Sequence, residues 1–358
     1  MPRPQVQSLV ERFFPSGAYA GRGVVLALVD SGFYPHPDLL HPRKRIRAYG
    51  DVTRDEPAEG DLLARKAWSW HGTMTACCAA GSGYLSGGRY RSLAYESDVV
   101  LIKASDDEGE IRGKALASAL RFPLRHPDLG IQILSVSVGV DDDDPDAHDV
   151  ERAIEELTLA GIIVIAAAGN TPGAPPSPPG SATHAITVGG VDDHNSSNRS
   201  DDVPWPSSFG TNRHGADKPD LLAPAILVPA PMLPGTLQAR EAHALYELLA
   251  VLEEVRLDPP GDEVARNSAL ALLDAVEERI ALQKYIAPDY QHVDGTSFAA
   301  PVVASVVAQM LEANPGLTSA RVREGLMATA RALPGVPKAQ QGAGVVDPAA
   351  AVAWAEKA

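Results

Sequence analysis

The 358-residue sequence predicts an α/β protein: a doubly wound, mainly parallel central sheet with helices on both faces, plus an inserted α-helical hairpin. Three observations lead there. Short β-branched runs alternate with helical patterns, the order expected of parallel strands linked by helical crossovers. Those runs lack polar–apolar alternation, as do strands buried on both faces. Between residues 231 and 290 the pattern changes to two long amphipathic stretches separated by Pro259-Pro260-Gly261. One domain spanning 1–358, with 231–290 as an insertion, accounts for the length.

In chain order, Val24–Val29 reads as the first strand, His71–Ala80 as a helix, Val99–Lys103 as a strand and Lys114–Arg125 as a helix. Strand Ile131–Val138, helix Ala147–Ala160 and strand Ile162–Ala168 follow. Thr171–Gly180 is Pro-rich and can only be loop, and Ala185–Gly190 is the last of the strands. In the insertion, Leu245, Leu248, Leu249, Leu252 and Val255 repeat at helical spacing, as do Ala269, Leu272, Leu273, Val276 and Ile280. The two stripes are expected to face one another or the core. Helices Ser297–Glu312, Ser319–Ala330 and Pro348–Glu356 complete the chain, and no internal repeat is visible.

Composition excludes several classes. Apolar residues make up 45% and aromatic ones 5%, the make-up of a globular chain with an aliphatic core. Asp and Glu number 46 against 31 Lys and Arg, a formal charge of -15. That field repels phosphate backbones and anionic lipid, so no nucleic-acid partner is expected. It attracts basic peptide segments within roughly one Debye length, about 8 Å at physiological salt. The two cysteines, Cys77 and Cys78, are adjacent, which disfavours a structural disulfide, and no His or Cys stands at zinc spacing from them. The N-terminus shows no basic stretch followed by an apolar run, and no uninterrupted apolar segment reaches membrane-spanning length. Cytoplasmic residence with no membrane partner is the expectation.

Val24–Val29 ends in Asp30-Ser31-Gly32, which puts a carboxylate at the carboxyl end of a buried strand. Active sites of open parallel sheets form at that edge, although an Asp there also serves as a turn or cap residue. Trp70-His71-Gly72-Thr73 opens a helical run, where a histidine is equally compatible with a structural role. Gly295-Thr296-Ser297-Phe298-Ala299-Ala300-Pro301 leads into an apolar helix through Val302, Val303, Val306 and Val307. A serine at a helix start can be an N-cap and no more, but that leaves the other two motifs unexplained. Pro301 is expected within the first helical turn.

These motifs, in the order Asp, His, Ser, resemble those of the subtilisin-like serine peptidases. Ala166-Ala167-Ala168-Gly169-Asn170 is similar to the family's oxyanion strand end and Ser137-Val138-Gly139 to its substrate-binding strand. Lys218-Pro219-Asp220-Leu221-Leu222-Ala223-Pro224 is similar to the segment ahead of the serine region. The likeness covers nearly the whole chain apart from the N-terminal residues and the insertion. It implies a subtilisin-like fold and a serine endopeptidase. His71 would take the Ser297 proton, Asp30 would hold the imidazole, and Asn170 with the Ser297 N–H would stabilise the oxyanion. It further implies that an extended polypeptide substrate binds as an added strand between Ser137, Val138 and Gly139 on one side and Gly109, Glu110 and Ile111 on the other, beside Ala168 and Gly169. An asparagine after a buried strand is otherwise a structural amide. No cofactor is required by this chemistry.

Asp106, Asp107, Glu108, Glu110, the run Asp141–Asp144 and Asp146 surround these stretches. They read either as solvated loops or as the source of a preference for Lys or Arg near the scissile bond. Many relatives hold calcium in a loop after the catalytic histidine. The corresponding Gly81–Ser92 contains no carboxylate or Asn; Asp141–Asp146 could bind calcium weakly but lacks a defined Gly turn, so calcium is open but unsupported and no metal residue is assigned. No signal or propeptide is visible ahead of Asp30, which leans the resemblance towards intracellular forms. The 231–290 insertion is a candidate lid, lever or docking surface for a regulatory protein, and a peripheral stabilising role is equally open. Two further readings stand beside an active enzyme. One is a protease latent until a partner or ligand acts on the insertion. The other is a catalytically silent peptide-binding module, against which the presence of all four catalytic residue types argues.

Overall fold

The computed structural model describes residues 5–15, 17–53 and 65–358. The main sheet comprises β1 (Val25–Asp30), β2 (Ile46–Asp51), β3 (Asp98–Lys103), β4 (Ile133–Val136), β5 (Ile163–Ala167), β6 (Ile186–Asp192), β7 (Val203–Pro204) and β10 (Leu221–Pro224). Between them β8 (Gly210–Thr211) and β9 (Asp217–Lys218) form a small ribbon. Along the order β10-β6-β5-β4-β1-β3-β2 every pairing is parallel, and only β7 runs antiparallel, on β6. The chain passes from β1 out to edge strand β2, returns through β3 to the side of β1, then crosses to β4 and continues outward. Winding therefore reverses at β1, and ligand crevices open beyond the carboxyl ends of strands at such a point. Asp30 is the last residue of β1.

Among the described residues, the helices of eight or more residues are α1 (Ser69–Ala80), α2 (Gly113–Leu120), α3 (Ala147–Leu159), α4 (Leu237–Leu257), α5 (Glu263–Leu282), α6 (Thr296–Ala313), α7 (Ser319–Thr329) and α8 (Pro348–Ala355). Successive β1 side chains enter opposite cores. Leu26 and Leu28 join Ala76 of α1 and Val303 and Val306 of α6, whereas Val25, Ala27 and Val29 join Leu116 and Leu120 of α2 and Val150 and Ile154 of α3. This two-sided burial is why the strand sequences run apolar without alternation.

The sequence patterns do not single out β2 or β10. β2 lies at the sheet edge with Arg47 exposed, and β10 is four residues long and ends in Pro224. The helix expected over Lys114–Arg125 stops at Leu120, and Pro123 sits in the first turn of a separate short helix, Phe122–Arg125, where its missing N–H has no intrahelical role. One exclusion also needs correcting. α6 is 18 residues long with a mean hydropathy of 1.3, long and apolar enough to cross a membrane by those measures. It is nonetheless 83% buried inside the molecule, so its apolarity is that of a central core helix.

The insertion is tied at its base. β11 (Val228–Pro231) pairs antiparallel with β13 (Tyr290–Val293), and β12 (Tyr285–Ala287) adds to β13. Thr236 and Asp262 cap α4 and α5 by accepting the N–H of Ala239 and Ala265. Leu249, Leu252, Leu273, Val276 and Ile280 are buried, but Leu248 and Leu272 face solvent, 37% and 46% exposed, so the apolar stripes are narrower than the spacing predicts. The buried set forms one core with Met74 and Cys78 of α1 and with Phe298 of α6. The insertion thus packs on both helices that carry the site.

Candidate active site

α1 begins at Ser69, two residues ahead of His71, and lies against the end of β1. A Cβ on Gly72 would stand 2.3 Å from the Gly32 carbonyl oxygen and 2.8 Å from Asp30 Cβ, so glycine is required for the close approach. His71 Nδ1 lies 2.9 and 3.0 Å from the two oxygens of the fully buried Asp30 carboxylate. The carboxylate also accepts the Ser31 N–H at 2.8 Å and the Thr75 hydroxyl at 3.1 Å. Three donors on its two oxygens fix it. An ionised carboxylate only accepts, so Nδ1 carries the proton and Nε2 is the nitrogen free to act as a base. Burial of the imidazole lowers its pKa, but the charge of Asp30 and its hydrogen bond outweigh that and leave His71 above the ordinary histidine value.

Ser297 is the second residue of α6, and the ring of Phe298 that follows it lies 5.5 Å from the His71 ring. Pro301 falls beyond the first turn, contrary to the expectation from sequence. Its missing N–H would have bonded the Ser297 carbonyl four residues back. The Ser137 hydroxyl donates to that carbonyl at 2.8 Å instead, and the Ser297 hydroxyl donates to the Ser137 carbonyl at 3.1 Å. Asn170 Oδ1 accepts both the N–H and the hydroxyl of Thr296, each at 3.0 Å. A backbone N–H can only donate, which fixes the amide orientation and leaves Nδ2 for the cleft. Gly295, at φ 129°, would bring a Cβ to 3.4 Å from that Nδ2.

A cleft of about 780 Å³ opens over Ser297, lined by Ile111, by Ser137–Asp141, by Asp143 and Asp144, by Ala167–Thr171 and by the Pro-rich loop. Ser137, Val138, Gly139, Ala168, Gly169 and Asn170 all line it. The main-chain groups of Gly169 are already used, its N–H by Thr296 Oγ1 and its carbonyl by the Ser208 N–H, so it shapes the cleft by surface alone. Gly109 and Glu110 lie outside the lining. Their turn is closed by Asp106 and Glu110 bonds, and the Glu110 carboxylate faces Arg112 at 3.4 Å. Of that stretch Ile111 reaches the cleft.

The sequence pattern of the subtilase family matches residues 21–344. This chain is a member of the subtilase family. It is 30% identical over 316 residues to serine protease AprX of Bacillus subtilis (strain 168), covering 85% of this chain and 60% of that protein. Subtilisin BL of Lederbergia lenta is 25% identical over 313 residues, 87% of this chain and 85% of that protein. The fold matches the protease domain of PatA, solved as a point mutant, with TM-score 0.63, 20% identity, and coverage of 95% of this chain and 98% of that one.

Two residues of this subtilase's site escape the motif reading: Thr75, one turn after His71 on the face towards Asp30, and the Ser137 side chain. The first was accessible from the spacing of four, the second from asking which group satisfies the carbonyl that Pro301 orphans. The Gly81–Ser92 loop does not fit a calcium ion. It holds no carboxylate, and the carbonyls of Gly81, Gly83, Tyr84 and Ser86 accept N–H groups within the loop. His36, Asp38 and Cys77 each bring one candidate ligand atom within 4.8 Å of the others. His36 Nδ1 already accepts the Asp38 N–H, and the Arg45 guanidinium donates to the carbonyls of Asp38 and Ala80 alongside, a cation where a metal would compete. Burial pushes both thiols up, Cys78 to about 12, which keeps them as inert core groups.

Proposed function

We propose that this chain is a serine endopeptidase that cleaves extended polypeptide through an acyl-enzyme, preferring Lys or Arg on the acyl side of the scissile bond. The observation that carries the chemistry is the buried Asp30 carboxylate on His71 Nδ1, with Ser297 and the Asn170 amide in the adjoining cleft. The Ser297 hydroxyl turns from the Ser137 carbonyl to His71 Nε2 and loses its proton there as Oγ attacks the peptide carbonyl. The oxyanion is met by Asn170 Nδ2 and the Ser297 N–H. His71 passes the proton to the leaving amine, the C–N bond breaks, and water repeats the sequence to release the acid.

The acidic residues sort by what they already hold. Asp144 accepts the N–H groups of Gly113 and Asp146, and Asp142 pairs with Arg213, whereas Asp141 and Asp143 are exposed carboxylates on the cleft wall. Those two support the basic preference.

Fluorophosphonate labelling followed by cleavage of a peptide library tests the reading. Label on Ser297, lost in Ser297→Ala, together with enrichment of Lys and Arg that weakens in Asp141→Asn/Asp143→Asn, is the expected result. A protein that neither labels nor cleaves sinks the enzyme reading, and cleavage without basic enrichment sinks the preference. Asn170→Ala should lower turnover about 100- to 1,000-fold while leaving Ser297 in place.

A further inference from the structure

A second cavity, of about 480 Å³, shares no residue with the cleft over Ser297. Trp70 and Met74, on either side of His71 in α1, form part of its wall. Leu233, Thr236 and Gln238 from the insertion, Gln291 from β13, and Arg65 and Lys66 complete it. We propose that this cavity is the subsite for the leaving segment of the substrate, and that it selects an apolar side chain with a carboxylate close by. The inference rests on the peptidase reading above.

Position is the first argument. In that reading His71 hands its proton to the departing amine, so the leaving segment must extend past the imidazole. The cavity begins at the residue next to His71, whose indole meets the imidazole edge-on at 5.3 Å, and its floor at Met74 shares a core with Phe298, the neighbour of Ser297.

Chemistry is the second. Several polar groups of the wall are engaged within the protein: Gln238 donates to Gln291 at 2.7 Å, Gln291 to the Met74 sulfur at 3.8 Å, and the Thr236 hydroxyl caps α4. Arg65 donates to the Pro234 carbonyl with one nitrogen, which holds the guanidinium at the rim. What the cavity offers is therefore an indole, a thioether and a leucine beneath two cations. Among the described residues no carboxylate lines it, in a chain of net charge -15, whereas the described lining of the cleft over Ser297 includes Asp141, Asp143 and Asp144 and no Lys or Arg. The two sides of His71 carry opposite charge, so a peptide basic on the acyl side and acidic on the leaving side is matched in one chain direction only.

Quenched peptides sharing one acyl-side sequence and differing on the leaving side test this, with fluorophosphonate labelling as the control because the probe carries no leaving peptide. The wild type should cleave Leu- and Glu-bearing leaving segments with kcat/KM about five- to twentyfold above Lys- or Gly-bearing ones. Lys66→Glu should erase the Glu preference and Leu233→Ala weaken the Leu preference, both labelling at the wild-type rate. Equal kcat/KM across leaving segments in the labelled wild type overturns the subsite, as does a preference that survives both substitutions. Failure of the wild type to label overturns the peptidase reading itself and the subsite with it.

Discussion

At the level of single residues, the proposed nucleophile is held by a missing N–H. Pro301 deprives the Ser297 carbonyl of its helical partner, and Ser137 replaces it. A buried acceptor left unsatisfied costs about 1–3 kcal/mol. Ser137→Ala should accordingly slow Ser297 labelling about tenfold with little change in KM, and Ser137→Ala/Pro301→Ala should regain most of the rate because residue 301 then supplies an N–H to the same carbonyl. A double variant as slow as the single one would show that Ser137 acts otherwise. His71 gives a second expectation. As the proposed base it works unprotonated, so kcat/KM should rise with pH through a value above 6.5, because Asp30 outweighs the burial that favours neutral imidazole. Asp30→Asn removes that opposing charge, and the remaining limb should move to lower pH in a pH–rate profile as overall activity collapses.

At the level of elements, α1 and α6 carry the proposed base, His71, and the proposed nucleophile, Ser297, and the inserted hairpin shares their core. Ile280 of α5 is fully buried in it. Ile280→Ala should destabilise by about 2–5 kcal/mol in denaturant unfolding. Leu272→Ala, on the exposed face, should stay within about 0.5 kcal/mol. If the hairpin were peripheral, Ile280→Ala would leave labelling of folded protein unchanged; coupling through Met74 and Phe298 predicts a slower rate. The amphipathic repeats marked both helices, because a 3.6-residue period shows in the sequence whatever the helix packs on. They did not tell Leu249 from Leu248, since which edge of a wide stripe is covered depends on the partner surface. β2 was invisible for a related reason: an edge strand lacks the two-sided burial that makes an apolar run.

For the whole molecule, a buried link joins the N-terminal half to the strand that leads into Ser297. Asp38 accepts the Tyr290 hydroxyl at 2.7 Å, and its N–H bonds His36 Nδ1 at 3.1 Å. Burial lowers His36 to about 4 and raises Asp38 to about 6. A depressed histidine contributes stability above its unfolded pKa near 6.5 that is lost as pH falls towards 4. A raised aspartate contributes stability below 3.8 that is lost as pH climbs through 6. The two slopes oppose each other between pH 4 and 6 and should nearly cancel there. Asp38→Asn should expose the histidine slope, stability rising with pH by about 3 kcal/mol, and His36→Gln the opposite one. Parallel pH–unfolding curves for the wild type and both variants would remove this account.

The sequence by itself determined the order of the five central strands and the long helices, the family, and the candidates Asp30, His71, Ser297 and Asn170, because each belongs to a contiguous motif whose spacing is local. The tertiary structure decided which groups remain available once internal hydrogen bonds are made. Gly169 is spent, Asp144 is spent, Asn170 presents its nitrogen, and Ser137 supports a carbonyl 160 residues away. Hydrogen-bond satisfaction is a property of atoms brought together across the chain, and a one-dimensional pattern carries no record of it.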